Sequence, residues 1–174
     1  MSAAKDWAEA AVAYTRGKLG AFPDNHLLRK INPLDDGWLC VDGNRAAVGS
    51  TSGYENDKIK WINNTAVLAE AGACGNCGEY SAVSFMYLVK KNCLLPIEYA
   101  GYDGGDHAFV ILNRPSTTEL RAPKTWGRDC YVADAWSGDV VAADDYWDDM
   151  IGTVYPPFVF YRYTISKMAS AYIH

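Results

Sequence analysis

Two cysteines, Cys74 and Cys77, stand in a C-x-x-C pattern within the glycine-rich stretch GACGNCGEYSAVSFMYL, Gly72 to Leu88, and an apolar run follows them at once. Three chemistries use such a pattern. A thioredoxin-like redox pair wants a preceding strand and a βαβ context. Here a helical pattern precedes the cysteines, and no second element of that motif can be picked out. A zinc site needs four ligands, commonly from a second paired motif, whereas Cys93 and Cys130 are isolated. The third possibility is a nucleophile. A thiol attacks as its thiolate, and the exposed N–H groups and dipole at a helix N-terminus favour that anion. Cys77 has this seat, because Gly75 and Gly78 permit a tight entry and the helix begins around it. Its own backbone N–H is then placed to join an oxyanion hole. Cys74 lies a turn earlier, in the loop.

A thiolate nucleophile needs a base that later protonates the leaving group. The chain has three histidines, His26, His107 and His174. His174 is the last residue, and His26 sits in an irregular segment. His107 opens the apolar run HAFVILN directly after GYDGGD, so it faces a cleft while its strand anchors in the core. A third group should orient the imidazole. Asp134, at the end of the apolar run CYVADAW, is the candidate, since a carboxylate there needs a partner. Asp106 is next to His107 in sequence, and neighbours on a strand point to opposite faces. Glu79 reads as a first-turn acid suited to the helix dipole. Trp136 reads as a packed or rim aromatic with a secondary claim as a substrate contact.

These residues require a helix and a sheet to hold them. Residues 3–19 carry Trp7, Ala11, Tyr14 and Leu19 near helical spacing, and Gly20 is a plausible stop. Residues 21–57, with Pro23, Pro33 and several glycines, read as loops with one short strand near GWLCV. A helix is expected over Lys58 to Glu70. The run after the glycine knot places Ala82, Phe85, Met86 and Val89 on one helical face directed into a core. After Pro96 the pattern turns aromatic and β-branched, in IEYAGY, HAFVILN, CYVADAW and FVFYRYTI, which read as an antiparallel sheet. RPSTTELRAPKTWGRD reads as a surface loop. Helices, a central helix and then strands make an α+β domain. One domain, 1–174, is expected, with a helical and irregular part over 1–57 and a core over 58–174.

Of the 174 residues 49% are hydrophobic and 21% charged, which is enough apolar material for one domain with a sizeable core. The formal net charge of -5 and the lack of a basic stripe argue against nucleic acid as a partner. The acidic stretch DVVAADDYWDD, Asp139 to Asp149, reads as a solvated turn or helix face, with a surface for a basic partner as the alternative. No tract is long enough to cross a membrane, and the N-terminus lacks the regions of a signal peptide. Five cysteines, an odd count at irregular spacing, predict a mostly reduced protein with a functional thiol.

The order Cys, His, Asp, carried as GNCGEYSAV, DHAFVIL and WGRDCYVADAW, resembles the papain-like and transglutaminase-like thiol enzymes over about residues 70–140. It looks most like the papain-fold domains of bacterial toxins and secreted effectors. The resemblance implies an α+β fold with the cysteine at the N-terminus of a central helix packed on an antiparallel sheet. It implies Cys77 as nucleophile, His107 as base and Asp134 as orienter, with no cofactor and no metal. Papain-type proteases place a glutamine oxyanion donor six residues before the cysteine, where this chain has Ala71. The second donor then falls to Asn76, Asn63, Asn64 or another backbone N–H. The function implied is an effector or toxin that deamidates or cleaves a target protein, reached without a signal peptide and countered by an immunity or inhibitor protein in its producer. A peptidoglycan amidase or endopeptidase of the same clan is the runner-up, and a C-x-x-C redox or binding protein the alternative of another class.

Overall fold

A computed structural model of the chain describes residues 2–21, 23, 37–149 and 156–165. His26, Pro33 and His174 lie outside the described residues. Five α-helices and five strands are defined among the described residues. Helix α1 spans Ala3–Leu19, α2 Gly37–Val48, α3 Lys58–Gly72 and α4 Cys77–Lys90. The strands are β1 Ile97–Tyr102, β2 Ala108–Leu112, β3 Tyr131–Asp134, β4 Asp139–Ala142 and β5 Pro157–Tyr163. A short helix, α5, covers Ala143–Asp149. The sheet is antiparallel throughout, in the order β4-β3-β2-β1-β5. The α+β class and the antiparallel sheet are therefore as the sequence predicts.

Helix α4 is central because it is apolar on nearly every side. Tyr80, Ala82, Val83, Phe85 and Leu88 are fully buried, the pattern of a helix enclosed by other elements. Side chains alternate across β2 as strand geometry demands. Val110 and Leu112 join the large core beneath α4, while Phe109 and Ile111 join a smaller cluster on the other face with Tyr102, Val132, Trp126 and Tyr146. Both faces of the sheet are thus occupied, and its strands read as near-continuous apolar runs.

Two expectations need correction. The segment GWLCV is the start of α2, not a strand. Gly37, Val41 and Val48 are buried along α2, while Trp38 is 44% and Leu39 73% exposed. That is one helical stripe rather than an alternation, so the run of large apolar residues misleads. The loop RPSTTELRAPKTWGRD carries a short 3₁₀ turn, Pro123–Thr125, and is not wholly a surface loop. Trp126 is buried in the smaller cluster, with its Nε1–H donated to the Glu119 carbonyl at 2.8 Å.

The third correction concerns the cysteines. Cys40 and Cys74 form a disulfide that bridges α2 to the turn before α4, whereas Cys77, Cys93 and Cys130 are free. Three of the five cysteines stay free, as a mostly reduced protein would have them, but the irregular spacing concealed one structural disulfide. Pairing Cys74 with Cys40 also removes Cys74 from any dithiol with Cys77.

Candidate active site

Helix α3 ends at Ala73 in the left-handed region, φ 50°, and the chain then turns into α4 within three residues, Cys74 to Asn76. Asn76 is the N-cap and makes a capping box with Glu79, whose Oε2 accepts the Asn76 N–H at 2.9 Å. Gly75 is needed here, because a Cβ at that position would fall 2.5 Å from the Glu79 Cβ. Glu79 is itself held by Arg45 of α2, with Nε to Oε1 at 2.7 Å and Nη2 to Oε2 at 3.0 Å. The fork-on-carboxylate geometry fixes orientation as well as charge. Cys77 is therefore the first residue of a helix whose entry is fastened twice, by the Arg45–Glu79 pair and by the Cys40–Cys74 bridge. Its N–H and that of Gly78 belong to the first turn, where no intrahelical carbonyl is in reach.

His107 precedes β2, and the antiparallel register pairing Val110 with Ala133 brings the start of β2 beside the end of β3. His107 and Asp134 meet there, with Nε2 and Oδ2 2.6 Å apart. The approach of β1 is close enough that a Cβ on Gly101 would lie 2.6 Å from the His107 carbonyl oxygen. Cys77 is the second polar neighbour whose interaction raises the His107 pKa. With Nε2 on Asp134, the ring nitrogen left for a thiol is Nδ1. The three residues predicted from the sequence to act together are thus brought to one place.

Burial alone would lower the imidazole's affinity for a proton. The hydrogen bonds to Asp134 and Cys77, and their charges, outweigh it and raise the His107 pKa from 6.5 to about 10. Such a ring keeps its proton well into the alkaline range. Asp134 is fully buried and accepts four hydrogen bonds. Oδ2 takes His107 and the Tyr146 hydroxyl, the latter at 2.9 Å, and Oδ1 takes the N–H groups of Trp136 and Ser137 at 3.2 and 3.3 Å. Arg16 of α1 secures the turn that follows, donating to the carbonyls of Ala135 and Trp136 at 3.3 Å each.

Of the remaining predicted residues, Trp136 packs its ring edge-on to His107 with centroids 5.4 Å apart, which fits a shield or rim of the site. Asn76 is 5% exposed and serves the helix cap. Asn64 turns toward the Tyr54 hydroxyl, with Nδ2 at 3.4 Å. Asp106 is exposed and is not the residue that orients His107. A cavity of about 680 Å³ is lined by Val48, Trp61, Thr65, Gly78, Glu79 and Asp106 among others. Gly78 and Asp106 are the sequence neighbours of Cys77 and His107, but neither Cys77 nor His107 lines the cavity itself. No group of three or more metal-ligating side chains occurs among the described residues.

Tyr146 and the Arg45–Glu79 brace escaped the sequence reading. The only signal for Tyr146 was an aromatic side chain within the acidic stretch, which there reads as a solvated face. Comparison with known proteins adds no name, since no family model, no curated protein and no solved structure matches the chain.

Proposed function

We propose that the chain is a cysteine hydrolase of the papain-like kind, acting on amide bonds through a thioester. One observation carries the reading. A partly exposed free thiol at the N-terminus of a buried helix lies where it helps raise the pKa of an imidazole whose Nε2 is 2.6 Å from a fully buried carboxylate. That is the constellation nucleophilic catalysis requires.

In the first step the Cys77 sulfur attacks the amide carbonyl, after its proton has passed to His107. The carbonyl oxygen becomes an anion, and the Cys77 and Gly78 N–H groups are the nearest backbone donors for it. Collapse of the tetrahedral adduct breaks the C–N bond as His107 returns the proton to the departing ammonia or amine. A water molecule then attacks the thioester with His107 as base, releasing the acid and restoring the thiol. Asp134 holds the imidazole in one tautomer and balances its charge throughout.

The substrate favoured is a side-chain or main-chain amide of a target protein, as for the secreted effectors that the Cys, His, Asp order resembles. The Cys40–Cys74 disulfide favours a second reading with the same chemistry. Disulfides persist in oxidising compartments such as the periplasm, where peptide amides of the cell wall would be within reach. One experiment separates them. Purified wild type and Cys77→Ala are incubated with a protein extract and with isolated peptidoglycan, and products are read by intact mass. Deamidation adds about one dalton to an uncut chain, proteolysis gives fragments, and wall hydrolysis releases soluble muropeptides. Wild-type products identical to those of Cys77→Ala in both arms overturn the hydrolase reading.

A further inference from the structure

The carboxylate that orients His107 is itself held by a residue from a separate element. Tyr146 lies on α5, is 2% exposed, and donates its hydroxyl proton to Asp134 Oδ2, the oxygen that also faces His107 Nε2. The Tyr102 side chain of β1 hydrogen-bonds Tyr146. Since the Tyr146 proton is directed to Asp134, the proton in that contact belongs to Tyr102. The same Tyr102 ring stacks on His107, centroids 5.9 Å apart at 29°, and on Tyr146 at 6.5 Å and 15°. Phe109 closes the other side of Tyr146 at 5.4 Å.

We infer that Tyr146, backed by Tyr102, is a positioning residue that locks the Asp134 carboxylate so that His107 presents Nδ1 to Cys77. This deepens the hydrolase reading and rests on it. The physical case is one of degrees of freedom. A carboxylate gripped only at Oδ1 by two backbone N–H groups still rocks about its Cβ–Cγ bond, and the imidazole rocks with it. A third donor at Oδ2 removes that motion. The donor must stay protonated to serve. Burial and the charge of Asp134 push the Tyr146 hydroxyl far above its ordinary range, so it remains a donor at any working pH.

The titratable groups that face the imidazole are Cys77 from α4 and Asp134 from β3, with Tyr102 from β1 and Tyr146 from α5 behind them. The readout is the rate of Cys77 alkylation by iodoacetamide from pH 4 to 9, followed by peptide mapping, because it needs no knowledge of the substrate. Tyr146→Phe keeps the ring and deletes the hydroxyl. The loosened imidazolium should support the thiolate less well. The acid limb of the profile then moves to higher pH, and the rate at pH 6 falls about threefold to tenfold. Tyr102→Phe should move it the same way by less. Profiles for both variants that superimpose on wild type, with melting temperatures showing both folded, overturn the inference. If Tyr146→Phe fails to fold, Tyr102→Phe carries the same test, and an unmoved profile there overturns it. His107→Ala is the separating control. A wild-type profile unchanged by His107→Ala defeats the hydrolase reading itself. One that depends on His107 but not on Tyr146 or Tyr102 defeats only the positioning role.

Discussion

Glu98 and Asp134 are both fully buried carboxylates, and strand parity puts both on the same face of one sheet, yet their partners differ in kind. Glu98 meets two guanidinium groups. Arg114 grips it in a fork, Nε to Oε2 at 2.8 Å and Nη2 to Oε1 at 2.6 Å, and Arg162 adds Nη1 to Oε1 at 2.5 Å. Arg162 also donates to the Arg114 carbonyl at 2.8 Å, so the cluster fastens β1, β5 and the segment after β2. Guanidinium groups do not release protons in proteins, so the partners of Glu98 keep their charge. Asp134 meets one imidazole, whose pKa Cys77 helps to raise, and the Tyr146 hydroxyl. A carboxylate between permanent cations acts as a clamp, whereas under the proposed function a titratable partner makes Asp134 the anchor of a proton transfer.

The widest separation of the two ends should be in turnover. Cys77→Ala is expected to abolish activity, and His107→Ala to cost about 10⁴-fold or more, with Asp134→Asn no more damaging than His107→Ala. Glu98→Gln should leave turnover per folded molecule within about twofold, because the cluster lies outside the reacting groups. Initial rates on whichever substrate the mass assay identifies, normalised to folded protein, check all four. Full activity in Asp134→Asn would remove the contrast.

Stability should show the reverse order. Glu98→Ala leaves two guanidiniums without their buried partner and should cost about 3–5 kcal/mol. Asp134→Asn keeps the shape and the two hydrogen bonds at Oδ1, loses the acceptor facing His107 and Tyr146, and should cost about 1–2 kcal/mol. Urea unfolding at neutral pH measures both, and a larger loss in Asp134→Asn would mean that the catalytic end is the structural clamp.

The disulfide offers the next effect in size. Closing the loop between Cys40 and Cys74 should contribute about 2–4 kcal/mol. Excess dithiothreitol should lower the stability of wild type by that amount and leave Cys74→Ser unchanged. Because the bridge holds α2, which carries Arg45 to Glu79, reduction should also slow Cys77 alkylation. Stability indifferent to the reductant would show that the bridge adds nothing to the fold.

The two ends were not equally legible in the sequence. Cys77, His107 and Asp134 each sit at a local landmark: a glycine turn opening an apolar helix, a glycine turn opening a strand, and an acid closing an apolar run. Their types and order then limit the chemistry. Helices α1, α3 and α4 and strands β1, β2, β3 and β5 were legible for the same local reason, that periodicity marks the element, whereas β4 lies in the acidic stretch read as a turn or helix face. Glu98 was not, because its partners lie 16 and 64 residues away, and an acid inside IEYAGY looks like any strand residue facing solvent. Tyr146 hid in an acidic stretch, and Cys40 paired across 34 residues. In each case the missing information is which side chains meet across elements, which only packing decides. The error at GWLCV has another origin. Trp38 and Leu39 supply the apolar character of a strand, but they are exposed, and the burial falls on Gly37 and Val41.

The last effect concerns pH and isolates the titratable end. His107 is raised from 6.5 to about 10 in the folded chain. A group raised on folding stabilises the protein fully below its unfolded value and loses that contribution as pH climbs through the folded value. Stability from His107 should therefore be complete below about pH 6.5 and fade toward pH 10. The partners of Glu98 are guanidiniums, which stay charged in proteins, so Glu98→Gln serves as the reference that keeps His107 intact. Melting temperatures taken from pH 6.5 to 9.5 should fall in wild type and in Glu98→Gln alike. In His107→Gln they should fall less, since the surface groups common to all three cancel in the comparison. A His107→Gln curve parallel to wild type would show that the imidazole gains no proton affinity from Asp134 and Cys77.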